Sequence, residues 1–222
     1  MFEFRKTVMP AGAALLCCAA LLAGCAERGG SGRGGLTPPP SPGALPGQSE
    51  IGYVTFSLPE QVRWQQNEDP ALDEAGVAEW FVQGTTPQTS PARIMYQKLM
   101  PAQNSASVRA QVLKPLESCV DSKVGGLRTG SKYARQVGFE AVCSKFGETN
   151  FGLTNYVAIF TDGAANHVVL TEVRTPASQK AGQLNPRTAE EKQWAETSAQ
   201  LMDLLRNTMQ TVRACDANNQ CI

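Results

Sequence analysis

The chain has 222 residues, 42% of them hydrophobic and 18% charged, with Lys plus Arg and Asp plus Glu balanced at 20 each. That suits one globular domain with length to spare, and a net charge near zero gives no field to draw in nucleic acid or an anionic bilayer. His167 is the single histidine, which narrows acid–base and metal chemistry, so neither a cofactor nor a metal is expected.

The first seven residues, "MFEFRKT", carry Arg5 and Lys6 and lead into the apolar run "VMPAGAALLCCAALLAG". Pro10, Gly12 and Gly24 interrupt that run, and a spanning helix needs about 20 consecutive apolar residues. A basic start followed by a short apolar core is the layout of an export signal. The run ends in Leu22-Ala23-Gly24-Cys25, which resembles the lipobox of bacterial lipoproteins. The resemblance covers the first 25 residues. It implies a diacylglycerol on Cys25, cleavage before Cys25 by signal peptidase II, and acylation of the new amine, palmitate included. Ala26 follows where an Asp would favour the inner membrane, so the resemblance implies an outer-membrane anchor with the domain facing the periplasm. The alternative is an ordinary signal peptide cut near Ala19–Ala23, with Cys25 there by chance.

The expected organisation is a signal peptide over 1–24, a lipidated Cys25 with a tether over 25–50, and one α+β domain over 51–222. Residues 26–50 hold seven glycines and five prolines with no hydrophobic periodicity. Such a stretch cannot bury enough apolar surface to offset its ordering entropy. A flexible chain of this length spans roughly 25–30 Å, and the "TPPPSP" half lengthens it as a polyproline II rod.

With Cys17 and Cys18 in the signal and Cys25 under lipid, Cys119, Cys143, Cys215 and Cys221 remain. Export places them where disulfides persist, and four cysteines allow three connectivities. The favoured pairing is Cys119–Cys143, joining a helix to a strand, and Cys215–Cys221, closing the turn-rich loop "CDANNQC". No CxxC occurs, which argues against zinc and redox chemistry.

Within the domain, "IGYVTFSLP" (51–59) alternates as a strand, and 60–78 reads as a long polar stretch. "AEWFVQG" (78–84) and "ARIMYQKLM" (92–100) form a hairpin. "NSASVRAQVLKPLESCVDSK" (104–123) spaces Val108, Val112, Leu113, Leu116 and Cys119 as a helix, capped by Asn104, Ser105 or Ser107 and kinked or shortened at Pro115. "KVGGLRTGSK" (123–132) reads as a basic, mobile connection. Three strands follow over 133–145, 150–162 and 166–175. The middle one is apolar on both faces, hence central and covered on both sides. Thr188 and Glu191 make a capping box. Trp194, Ser198, Leu201, Leu205, Thr208 and Val212, with Leu204 and Met209 beside them, then give a helix that lies on the sheet. The sum is an α+β fold: an antiparallel sheet of about six strands, helices packed on it, and two disulfides.

"FSLPEQVRW", Phe56 to Trp64, resembles the opening of domains similar to PsbP and Mog1. That resemblance implies an antiparallel sheet between helices with a C-terminal helix on the sheet, and an accessory, non-enzymatic role. No HExxH, GxSxG, GxxxxGK[ST] or Ser-x-x-Lys motif occurs. His167 reads as a sheet-edge polar residue in preference to a general base. Glu68, Asp69, Asp73, Glu74 and Glu79 read as a solvated acidic loop, with an acidic patch for a basic partner as the second reading. Trp64, Trp80 and Trp194 read as core, Trp64 being the one best placed for exposure. The expectation is a non-catalytic outer-membrane lipoprotein whose tethered domain binds or scaffolds another envelope protein, in an assembly, accessory or immunity role. The alternative is an envelope hydrolase or small-ligand carrier with a non-standard site.

Overall fold

The computed structural model describes residues 51–222 apart from Ala134 and Ala217. Cys25, the signal and the tether lie outside the described residues. The chain divides at Gly43, and the unit from Ala44 onward contains everything described below.

Among the described residues nine strands and three α-helices follow in order: β1 (Tyr53–Thr55), β2 (Trp64–Gln66), α1 (Pro70–Glu74), β3 (Val77–Val82), β4 (Ala92–Leu99), α2 (Ser105–Leu113), a 3-10 turn (Lys114–Ser118), β5 (Ser122–Gly126), β6 (Gln136–Cys143), β7 (Phe151–Thr161), β8 (Asn166–Pro176), α3 (Ala189–Thr211) and β9 (Arg213–Cys215). Seven strands form one antiparallel sheet, ordered β2-β3-β4-β8-β7-β6-β5. After β4 the chain crosses through α2 to the far edge. It returns strand by strand until β8 pairs with β4.

β7 and β8 are the longest strands, at 11 residues each, and both are buried along nearly their whole length. Successive side chains on a strand point to opposite faces, so β7 serves two cores. Tyr156, Ala158 and Phe160 join Ile94, Val169, Leu201, Leu205 and Met209 under α3. Leu153, Val157 and Ile159 join Phe139, Ala141, Val108 and Leu116 under α2 and the 3-10 turn. The sheet is thus sandwiched between α3 and the shorter α2 segment.

α3 starts where the capping box places it. The Glu191 N–H donates to Thr188 Oγ1 (3.1 Å), and the Thr188 N–H donates to Glu191 Oε2 (3.2 Å). This satisfies two N-terminal donors that have no partner inside the helix. Its buried stripe is Ala195, Ser198, Leu201, Leu205, Thr208 and Met209. Trp194 is only half-buried at the stripe's margin, while Trp64 and Trp80 pack against the α3 core.

The structure corrects three local expectations and decides a fourth, the kink or shortening at Pro115. The first strand is only three residues long and lies outside the main sheet. It pairs with β9, with Tyr53 opposite Cys215 and Thr55 opposite Arg213, because α3 returns the chain end to its side. Phe56 and Leu58 still pack on the core without a strand partner. The expected helix over 104–123 ends at Leu113. Pro115 brings no N–H to an α ladder, and the backbone tightens into the 3-10 turn instead. Residues 123–126, read as part of a mobile connection, are an edge strand paired with β6. Beyond it Gly130 sits against α3, where a Cβ would fall 1.7 Å from the Gln210 carbonyl oxygen. The polar stretch 60–78 contains β2, α1 and the start of β3, with Asp69 capping α1 through the Ala71 N–H (3.0 Å).

Both favoured disulfides are present, with Cα separations of 5.6 Å for Cys119–Cys143 and 4.0 Å for Cys215–Cys221. Cys119 is not helical. It is extended, just past the 3-10 turn, and bridges to Phe146, so the bond ties the turn's exit to buried Cys143 on β6. The second bond closes the segment after β9 onto buried Cys215.

Candidate functional site

Polar groups concentrate in three places, the first two assembled by strand register. The first surrounds His167. It is the second residue of β8, a central strand with β4 on one side and β7 on the other, and its side chain is completely buried. The sheet-edge expectation is therefore corrected: pairing with β4 covers what would have been an edge. Its Nδ1 lies 2.8 Å from the Tyr96 hydroxyl, and its Nε2 lies 3.7 Å from Asp162 Oδ2 with no hydrogen bond of its own. Asp162 is buried at the β7–β8 turn and accepts the backbone N–H groups of Ile51, Ala164 and Ala165. Burial opposes its ionisation, but those three donors and His167 outweigh it and hold the carboxyl below its ordinary value. Burial also pushes the His167 imidazole down, against the pull of Asp162 and assisted by Lys98. Tyr96 is pushed up by burial and by Asp162. The cluster is therefore a neutral imidazole between a phenol and a carboxylate, enclosed by the sheet. It also bolts Ile51, the first described residue, to the β7–β8 turn.

The second place is an ion network on the α2 face of the sheet, beyond the reach of α2 itself. Arg93 on β4 donates to Glu172 on β8 (2.9 Å) and to Glu79 on β3 (3.3 Å). Both glutamates are buried. Glu79 is thus no part of a solvated loop, which corrects that expectation: its position on β3 points it at Arg93, and Asn67 donates to its other oxygen (2.8 Å). Burial would lower the Arg93 pKa, but Glu172 and then Glu79 outweigh it and keep the guanidinium charged. Arg174 lies close by. It donates to the carbonyls of Gln88 and Pro87 and stacks 4.9 Å over Phe151. The other four acidic residues of the stretch, Glu68, Asp69, Asp73 and Glu74, remain exposed. They form an acidic surface around α1. No group of metal-ligating side chains occurs among the described residues.

The third is a polar pocket of about 300 Å³ between the end of β8 and the start of α3, lined by Lys145, Ser178, Lys180, Gln183, Arg187 and Glu191 among others. Glu191 is committed to the capping box, and the Arg187 and Thr188 N–H groups hold its carboxyl below the ordinary range.

The sequence singled out His167 and the acidic stretch, and missed Arg93, Glu172, Tyr96 and Asp162. The partners of Arg93, Glu172 and Tyr96 lie 14 to 79 residues away in the chain, and no local spacing signals such pairs. The one available cue was Asp162 ahead of Gly163, a turn pattern.

No family model matches the chain, and no curated protein sequence matches it. Among solved structures it is similar to a point mutant of protein Mog1. The TM-score is 0.39 at 14% identity, over 77% of this chain and 97% of that one. Mog1 is one of the two proteins whose domains the Phe56–Trp64 stretch resembles.

Proposed function

We propose that the chain is an outer-membrane lipoprotein. Cys25 carries the lipid, residues 26–50 form the tether, and the domain from residue 51 is a non-catalytic module that binds or scaffolds another envelope protein. The observation that carries this reading is the lipobox Leu22–Cys25 set directly before a Gly- and Pro-rich leash. Two structural features support it. All four cysteines beyond residue 50 are consumed in two disulfides, as an oxidising compartment favours. That leaves Cys25 as the one unpaired thiol after signal removal. The single histidine is walled in rather than presented to a substrate, which favours a binding role over a hydrolase. Two acyl chains hold a protein stably at a bilayer where one gives marginal binding. Among the described residues no helix is long and apolar enough to cross a membrane. The exposed acidic surface around α1 is the favoured partner face, suited to a basic partner.

Metabolic labelling with palmitate tests the anchor: wild type takes up label, and Cys25→Ser does not. A labelled Cys25→Ser chain overturns it. Capture from the envelope tests the binding role. A partner retained by wild type and lost on Asp73→Lys/Glu74→Lys supports it. Turnover of an envelope substrate that His167→Gln abolishes overturns it in favour of a hydrolase.

A further inference from the structure

β5 is the outermost strand of the main sheet, beside β6. All five of its residues are exposed, Val124 at 39%. The Leu127 N–H donates to the Gly138 carbonyl (3.1 Å) and the Ser144 N–H to the Asp121 carbonyl (2.9 Å). Antiparallel pairing alternates bonded and non-bonded residues. Lys123 and Gly125 therefore turn their backbone groups toward β6, while Ser122, Val124 and Gly126 turn theirs outward. A Cβ at Gly125 or Gly126 would meet nothing within 4 Å, so both sides of this edge are open. Bare edges are usually blunted by Lys, Pro, a bulge or a covering loop, and β5 carries one such device, Lys123.

Lys123 suits an edge that pairs with itself. About a twofold axis at Val124, Val124 faces Val124, Ser122 faces Gly126, and Lys123 faces Gly125. No lysine meets a lysine. Gly125 has no side chain, and directly behind it in register stands Glu140 of β6. Lys123 and Glu140 share the face of the sheet on which α3 lies. Glu140 is 28% exposed and bonded only to one nitrogen of Arg206 there (3.0 and 3.2 Å). Neighbouring strands are about 4.8 Å apart, so the partner's Lys123 crosses one bare glycine and two strand spacings to meet that carboxylate. The twofold makes the contact twice.

We propose that β5 is a self-association edge, pairing antiparallel with β5 of a second copy through the outward groups of Ser122, Val124 and Gly126 and two Lys123–Glu140 ion pairs. Such an interface is isologous. It is far smaller than the roughly 1,200 Å² of a stable complex, so it forms reversibly and gains from any arrangement that concentrates the chains locally.

Sedimentation equilibrium of the full chain in mild detergent, over a concentration series, tests this. Wild type shows a reversible monomer–dimer equilibrium. Val124→Pro removes an outward N–H and spares the ladder to β6, a position where edge strands accept proline; it loses the dimer. Lys123→Glu weakens the dimer by about tenfold or more, equivalent to about 1.4 kcal/mol, and Lys123→Glu/Glu140→Lys restores it. If Val124→Pro does not fold, the charge-exchange pair decides. A wild type that stays monomeric throughout, a Val124→Pro dimer as tight as wild type, or a double exchange no better than Lys123→Glu overturns the proposal. So does a monomer that instead takes up an unrelated extended peptide along β5.

Discussion

Replacing Arg93 by methionine isolates the ion network on the α2 face. The methionine keeps most of the side-chain volume and deletes the charge, leaving Glu79 and Glu172 facing each other across an uncharged centre. Their side chains are only 7% and 9% exposed. Removing one partner of a buried ion pair costs about 3–5 kcal/mol, because the remaining charge stays buried without compensation. The Arg93 side chain is 31% exposed, so water screens part of that charge and the lower end applies, about 3 kcal/mol. In a domain of this size that lowers Tm by roughly 6–12 °C. Urea unfolding followed by circular dichroism reads the difference. The cause is checked by adding Glu79→Gln and Glu172→Gln: with the stranded charges gone, the triple variant recovers about 1 kcal/mol or more relative to Arg93→Met. An Arg93→Met domain within about 0.5 kcal/mol of wild type, or a triple variant as unstable as Arg93→Met, refutes the reasoning.

Three further outcomes are expected. Cysteine-to-alanine replacement of the Cys119–Cys143 pair, 24 residues apart, costs about 3.5 kcal/mol in the chain-entropy model, and of the Cys215–Cys221 pair, 6 apart, about 2.4 kcal/mol; denaturant melts giving the reverse order would contradict it. Burial holds the folded His167 imidazole below its ordinary 6.5, so below that pH the unfolded chain binds a proton the folded chain does not. Stability therefore falls as pH drops through 6.5, and below about 3.8 the depressed Asp162 adds to the loss; His167→Gln flattens the slope just below 6.5, and an unchanged slope would rule His167 out as its source. Leu205→Ala, at a completely buried position on α3, costs about 3–4 kcal/mol, whereas Thr188→Ala at the capping box costs about 1 kcal/mol; thermal melts that rank the two equal would count against the packing described.

Periodic and capped segments were legible in the sequence because their signals are local. The Thr188–Glu191 box and the 3–4 spacing through Leu205 gave α3, and the unbroken apolar run from Tyr156 to Phe160 gave β7 its central place. The even set of four cysteines and the turn residues of 215–221 gave both disulfides. Pro115 marked the end of α2. What local chemistry could not supply was the choice of partners. β1 reads like any alternating strand, yet its partner lies beyond α3 and takes it out of the main sheet. β5, polar and glycine-rich, has no strand signature and becomes a strand because β6 offers it a ladder. Glu79 reads as one more acid in an acidic loop until cross-strand register sets Arg93 beside it. His167 reads as an edge residue until β4 pairs over it and Asp162 closes behind. Hydrophobic period, caps and turns act over a few residues, so the chain alone determines them. Burial of a polar side chain and the identity of its partner are settled only when strands far apart in sequence come into register.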